Sequence, residues 1–137
     1  VNYWLVKSEP DVYSYERLTS EGFAQWDGVR NYQARNNLRA MKMGDLCLFY
    51  HSNIGLEVVG IAKVSREYFP DPTAEKGDWS AVELEPVKAF SRAVKLSEIK
   101  SHPGLQELLL VRNGRLSVMP VTSAEFSTLL SLGDTEL

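Results

Sequence analysis

Cysteine and histidine are nearly missing from this chain, which has one Cys and two His among 137 residues. A lone cysteine cannot close an internal disulfide, so packing must hold the fold, as expected in a reducing compartment such as cytoplasm or nucleus. So few ligands leave nothing for a classical zinc site, and neither metal nor other cofactor is expected. Long apolar runs are missing too. None approaches the roughly 20 residues that span a bilayer, so no membrane role is expected. The opening VNYWLVKSEP has neither the basic n-region nor the h-region of a signal peptide, and its aromatic and β-branched residues suit a first strand. A basic surplus is also missing: 15 Lys and Arg against 18 Asp and Glu give a net charge of −3. That balance argues against a sequence-independent nucleic-acid coat. Without a basic N-terminal tail, a bacterial cytoplasmic protein is expected rather than a nuclear one.

What is present fits one globular domain over residues 1–137, expected to be a monomer. VNYWLV reads as a strand ended by SEP, which leaves Lys7 and Ser8 at its end. Ser14 is placed to cap a short helix stopped at Gly22, FAQW as a brief extended piece, and Asp27-Gly28 as a turn. Asn31 is placed to cap a second helix reaching Lys42, with Gly44 as its stop. On that helix Ala34, Leu38 and Met41 should pack inward, while Arg35, Arg39 and Lys42 form a basic stripe facing solvent or a partner. DLCLFYHS, LEVVGIAKVSREYF and WSAVELEPVKAF are strand-like, with Gly60 marking a bulge or a close approach and Pro86 an edge or bend. In the last of these, Ala81, Glu83 and Glu85 are expected on a wet face. PDPTAEKGD is a loop, LSEIKS and LQELLLV are helical around HPG, RLSVMPV is a last strand, and Thr122 with Glu125 forms a capping box. Consecutive central strands without βαβ alternation predict an α+β fold, a curved or barrel-like sheet with flanking helices. Cys47 is expected buried and inert, and Trp4 and Trp79 are expected in the core or sheet.

The densest chemistry lies in WDGVRNYQARN, residues 26–36. Arg30, Arg35, Arg39 and Lys42 carry +4 between Gly28 and Gly44 with no acid among them, so the rest of the chain carries −7. An aromatic at a loop, amide side chains and basic groups at a helix start are the parts needed to hold a flat base and steer a phosphate. Each also has a plainer reading: Asn31 as a cap, the arginines as solvated or paired with acids, and His51 as a structural histidine.

YWLVKSEP, WDGVRNYQARNNLRAMKMGDLCLFYHS, GIAKVSREYFPDPTAE, WSAVELEPV and RLSVMPVTSAEF together resemble the EVE domain family over nearly the whole chain. The resemblance implies a PUA-like fold, a twisted β-barrel with flanking helices related to YTH and ASCH domains. It also implies a non-catalytic reader of modified bases in DNA or RNA, such as 5-methylcytosine or 5-hydroxymethylcytosine, with the base flipped into an aromatic pocket. On this reading Trp26 walls the pocket. Lys7, Ser8, Asn31, Tyr32, His51 and Ser52 contact the base, and Arg30, Arg35, Arg39 and Lys42 meet phosphates. The rival reading is a small amidohydrolase-like enzyme acting on modified nucleosides, drawing on Lys7, His51 and Glu9 or Glu83. His51 and Ser52 are no dyad, because neighbouring strand residues point to opposite faces. A protein-interaction adaptor is a third reading, and it would need an exposed apolar patch.

Overall fold

Strand β1 (Tyr3–Ser8) buries Trp4, Leu5 and Val6 in succession. That is the pattern of a strand covered on both faces rather than half wet. It lies inside the sheet of the computed structural model, which describes residues 1–137. On one side β3 (Leu46–His51) runs parallel to it, from Tyr3 opposite Leu46 to Ser8 opposite His51. On the other, β6 (Val118–Val121) runs antiparallel. The crossover from β1 to β3 contains α1 (Tyr15–Glu21), β2 (Ala24–Trp26) and α2 (Tyr32–Ala40). Within it, β2 pairs with β5 (Ser80–Lys95), setting Trp26 opposite Val82, and β4 (Glu57–Pro70) joins β5 to β3. The six strands therefore run β2-β5-β4-β3-β1-β6 in a mixed sheet whose edges are β2 and β6. Helices α3 (Leu96–Ser101), α4 (Leu109–Arg112) and α5 (Ser123–Leu132) complete the expected α+β order.

Four register shifts break the β4–β5 ladder, and each bulge adds twist and bend. Gly60 sits at one of them. A Cβ there would stand 2.5 Å from the Tyr15 ring, whose hydroxyl donates to the Ile61 carbonyl at 2.7 Å. The glycine is thus a close approach as well as a bulge, and it seats α1 on the sheet. Pro86 lies beyond the end of β2 and beside another shift, where a missing N–H is tolerated.

The caps fall where the side chains predict them. Ser14 Oγ accepts from the Arg17 N–H, Asn31 Oδ1 from the Ala34 N–H, and Thr122 with Glu125 closes a capping box. Gly22 takes the left-handed C-cap of α1 at φ 85°. Ala34, Leu38 and Met41 are fully buried, as is Cys47.

Three expectations need correction. Helix α2 stops at Ala40, so Lys42 is not on it. The cause is Asp45, a buried carboxylate that accepts from the Lys42 N–H, the Asn2 N–H and Trp4 Nε1 at 3.0 Å each, and so draws the chain out of the helix. Ala81 is buried rather than wet, because β5 is covered there. Trp4 is core, but Trp79 is only half-buried at the end of the loop before β5.

Candidate functional site

The edge strands β2 and β6 do not pair, and a cavity of about 580 Å3 opens where the sheet fails to close. Its volume falls within the range of about 300–1,000 Å3 usual for small-ligand sites. The end of β1 supplies Lys7 and Ser8, the segment into α1 supplies Val12, Tyr13 and Arg17, and β2 supplies Ala24, Gln25 and Trp26. The turn Asp27–Asn31 and Ser117, just before β6, complete the wall. Trp26 is 8% exposed and stands at the boundary between core and cavity. Phe49 meets its ring edge-on at 5.4 Å and Tyr13 at 6.2 Å, and such contacts hold the indole as a rigid wall.

The polar groups are held by second partners, which decides what each has left to offer. Ser8 Oγ donates to the Tyr13 carbonyl at 2.6 Å, so its free capacity is that of an acceptor. Asn31 Oδ1 is occupied by its capping bond, leaving the Nδ2 amide as a donor. Lys7 Nζ donates to the Gly114 carbonyl at 2.6 Å, and burial lowers its pKa. Burial raises the Tyr13 phenol to about 12, helped by its hydrogen bond to Glu21.

Asp71 fixes the rim. Its fully buried carboxylate accepts from the Gly28 N–H, Arg30 Nη1, the Thr73 N–H and Thr73 Oγ1, all within 2.9 Å. Burial alone would raise its pKa, but the bonds from Thr73, Arg30 and Gly28 win and hold it at about 2. The carboxylate therefore ties the Asp27–Arg30 turn to the loop after β4.

Of the residues expected at the site, Lys7, Ser8, Trp26, Arg30 and Asn31 line the cavity, and six others do not. Tyr32 begins α2, points away, and stacks on Trp79 at 5.0 Å with an interplanar angle of 16°. His51 ends β3 under α1: Nε2 accepts the Tyr15 N–H at 3.1 Å, Phe49 packs edge-on against the ring, and burial lowers its pKa. Ser52 lies in the following turn, its N–H donating to the Ser8 carbonyl. Arg35 donates to Asn36 Oδ1 and the Asp78 carbonyl, and Arg39 to Ser80 Oγ and Asp78. Lys42 stands 3.9 Å from Glu67. Of the basic stripe, Arg39 and Lys42 are thus matched by acids of the β4–β5 hairpin, and Arg35 is not.

Sequence reasoning missed Tyr13, Ser117 and Asp71. Only the PDP loop motif marked the last, and a motif gives no sign of burial. The groups named for the enzyme reading do not converge: His51 faces Tyr15, Glu83 accepts from Ser65 Oγ at 2.8 Å, and Lys7 alone reaches the cavity. Burial, with help from Asp45, pushes the Cys47 thiol far up, which leaves it inert.

An EVE domain family model matches residues 2–132. A protein of Agrobacterium tumefaciens, known from its crystal structure, is 46% identical, with a TM-score of 0.96 over 98% of this chain and 94% of its own. Thymocyte nuclear protein 1 of Mus musculus is 38% identical, covering 98% of this chain and 75% of its own. The human protein, crystallised with DNA containing 5-methylcytosine, is 35% identical over 100% of both chains, with a TM-score of 0.91. The YTH domain of Zygosaccharomyces rouxii MRB1, in complex with N6-methyladenosine RNA, is 16% identical with a TM-score of 0.61 over 99% of this chain and 88% of its own. This last likeness is one of fold alone, the PUA-like α+β fold. With a family model spanning residues 2–132, and a related crystal structure that superposes over 98% of the chain, the protein belongs to the EVE domain family.

Proposed function

We propose that this chain binds a modified nucleobase of DNA or RNA by taking it, unstacked, into the cavity beside Trp26. The observation that carries the reading is the rigid indole in the wall of a cavity sized for a small ligand. The base lies along the indole, and stacking of this kind is worth roughly 1–3 kcal/mol. Ser8 Oγ accepts from an amino group, while Asn31 Nδ2 and Lys7 Nζ donate to ring nitrogen and carbonyl oxygen. One acceptor with two donors complements the cytosine edge. The 5-methylcytosine DNA bound by the human relative supports that choice. Methyl burial adds roughly 1–3 kcal/mol, or 10- to 200-fold preference over the plain base.

The test is a panel of short single- and double-stranded oligonucleotides carrying cytosine, 5-methylcytosine, 5-hydroxymethylcytosine or N6-methyladenine, assayed for binding and for product. Saturable binding with a preference for a modified base and no turnover is expected. Trp26→Ala should lose the preference and weaken binding by the stacking term, roughly 5- to 160-fold. Full, modification-selective binding by Trp26→Ala would overturn the assignment of the cavity, and product formation would replace the reader with an enzyme.

A further inference from the structure

Outside the cavity, and continuous with it, the structure carries an aromatic surface the base pocket does not use. Tyr32 is 67% exposed and follows Asn31 directly in the chain, while Arg30, on the cavity wall, lies 5.6 Å from the Trp79 ring. One face of Tyr32 is covered by Trp79 at 5.0 Å. The Arg35 guanidinium lies 5.0 Å from the Tyr32 centroid and 5.8 Å from that of Trp79. Three such similar distances place the guanidinium at the flank of the stack. A cation over the outer face of Tyr32 would be much farther from Trp79 than from Tyr32. The outer face of the phenol ring is therefore open.

Arg35 differs from the other arginines of this region. Arg30 is paired with Asp71 and Arg39 with Asp78, but no carboxylate lies within ion-pair distance of Arg35. Its bonds to Asn36 and the Asp78 carbonyl use Nε and one hydrogen on each terminal nitrogen, so two of its five N–H groups are unassigned. An open aromatic face with an uncompensated guanidinium at its edge is the pairing that single-stranded nucleic acid uses, base on ring and phosphate on cation.

We propose that Tyr32 is a second base platform: the unpaired nucleotide next to the one held in the cavity stacks on its outer face, with the intervening phosphate on Arg35. The proposal rests on the cavity holding a base. Trp79 acts as the backing that keeps the Tyr32 ring fixed, so little side-chain freedom is lost when a base arrives. The platform reads no sequence, since every base has a face to stack.

The experiment measures the affinity of the full chain for short single-stranded DNA with one central 5-methylcytosine, and for the same strand with an abasic unit on its 5′ or its 3′ side. For the wild type, one of the two abasic strands should bind roughly 5- to 160-fold more weakly, the range that stacking of one base supplies. Tyr32→Ala should weaken the intact strand by the same factor and be indifferent to the abasic unit, while Tyr32→Phe behaves as wild type. The ratio of affinities for methylated and plain cytosine should survive in Tyr32→Ala and disappear in Trp26→Ala. An abasic penalty absent from the wild type on both sides, or one that persists in Tyr32→Ala, overturns the platform while leaving the cavity reading intact. A wild type that never distinguishes methylated from plain cytosine overturns the cavity reading instead.

Discussion

At the scale of single residues, the site depends on a carboxylate that touches no ligand. Asp71 gathers the Gly28 N–H, Arg30 and Thr73, and its folded pKa of about 2 stands below the ordinary 3.8. A depressed pKa stabilises the fold where the group is ionised in both states, above about pH 4, and the benefit is lost as pH falls through about 2. The difference corresponds to about 2 kcal/mol. Asp71→Asn should therefore lower the urea-unfolding free energy at neutral pH by about 2 kcal/mol, and the gap from wild type should close as the pH falls from about 4 to 2. A constant gap over that range would mean the carboxylate's charge is not what matters. The same variant frees the Asp27–Arg30 turn, so base binding should weaken as well. PDPTAEKGD marked the loop but gave no sign that this acid is buried in it. A sequence marks a loop by its turn formers, whereas burial of one of its acids depends on which turn packs over it.

Among the elements, the readable features were those set by near neighbours. Ser14, Asn31 and Thr122 cap the helices they precede because a cap is a bond three residues long. Gly60 was legible as an irregularity, though not that Tyr15 fills its space. Less legible was which element packs over a given side chain. His51 ends β3 as expected, yet α1 lies across it, and its Nε2 holds the Tyr15 N–H at the start of that helix. Tyr32 begins α2 as expected, yet Trp79 draws its ring away from the cavity. The His51 contact has a pH signature of its own. Burial lowers the pKa from 6.5, outweighing Glu57 and Glu16, which pull it up. The unfolded chain then binds the proton first, so stability is full above about pH 6.5 and declines as the pH falls toward the folded value. His51→Gln, which keeps an acceptor but cannot titrate, should flatten the unfolding midpoint between about pH 7 and 5 and leave the Asp71 limb below pH 4 untouched. An unchanged slope in that variant would place the titration elsewhere.

For the whole molecule, the decisive fact is how the fold redistributes charge. Read along the chain, residues 28–44 form a block of +4, which suggests a face for four phosphates. The hairpin of β4 and β5 folds against that block and brings acids with it. Asp71 lies 2.9 Å from Arg30, Asp78 2.7 Å from Arg39 and Glu67 3.9 Å from Lys42. Arg35 keeps its charge unmatched, as does Lys7 at the cavity wall. A net charge of −3 over the whole chain repels a phosphate backbone rather than gathering it. Affinity must then come mainly from bases in contact with aromatic rings, and only weakly from counterion release. With one unmatched cation, Arg35, meeting a phosphate, the logarithm of the association constant for single-stranded DNA should fall with the logarithm of salt concentration at a slope near −0.7. The full block of four would give a slope near −2.8. Arg35→Gln should remove most of the slope, while Lys7→Gln, at a residue that meets the base rather than a phosphate, and Arg39→Gln, whose partner Asp78 already neutralises it, should leave it nearly unchanged. A wild-type slope of about −2.5 or steeper would show that the acids of the hairpin give way to phosphate when DNA arrives, and that the basic block read from the sequence is restored in the complex.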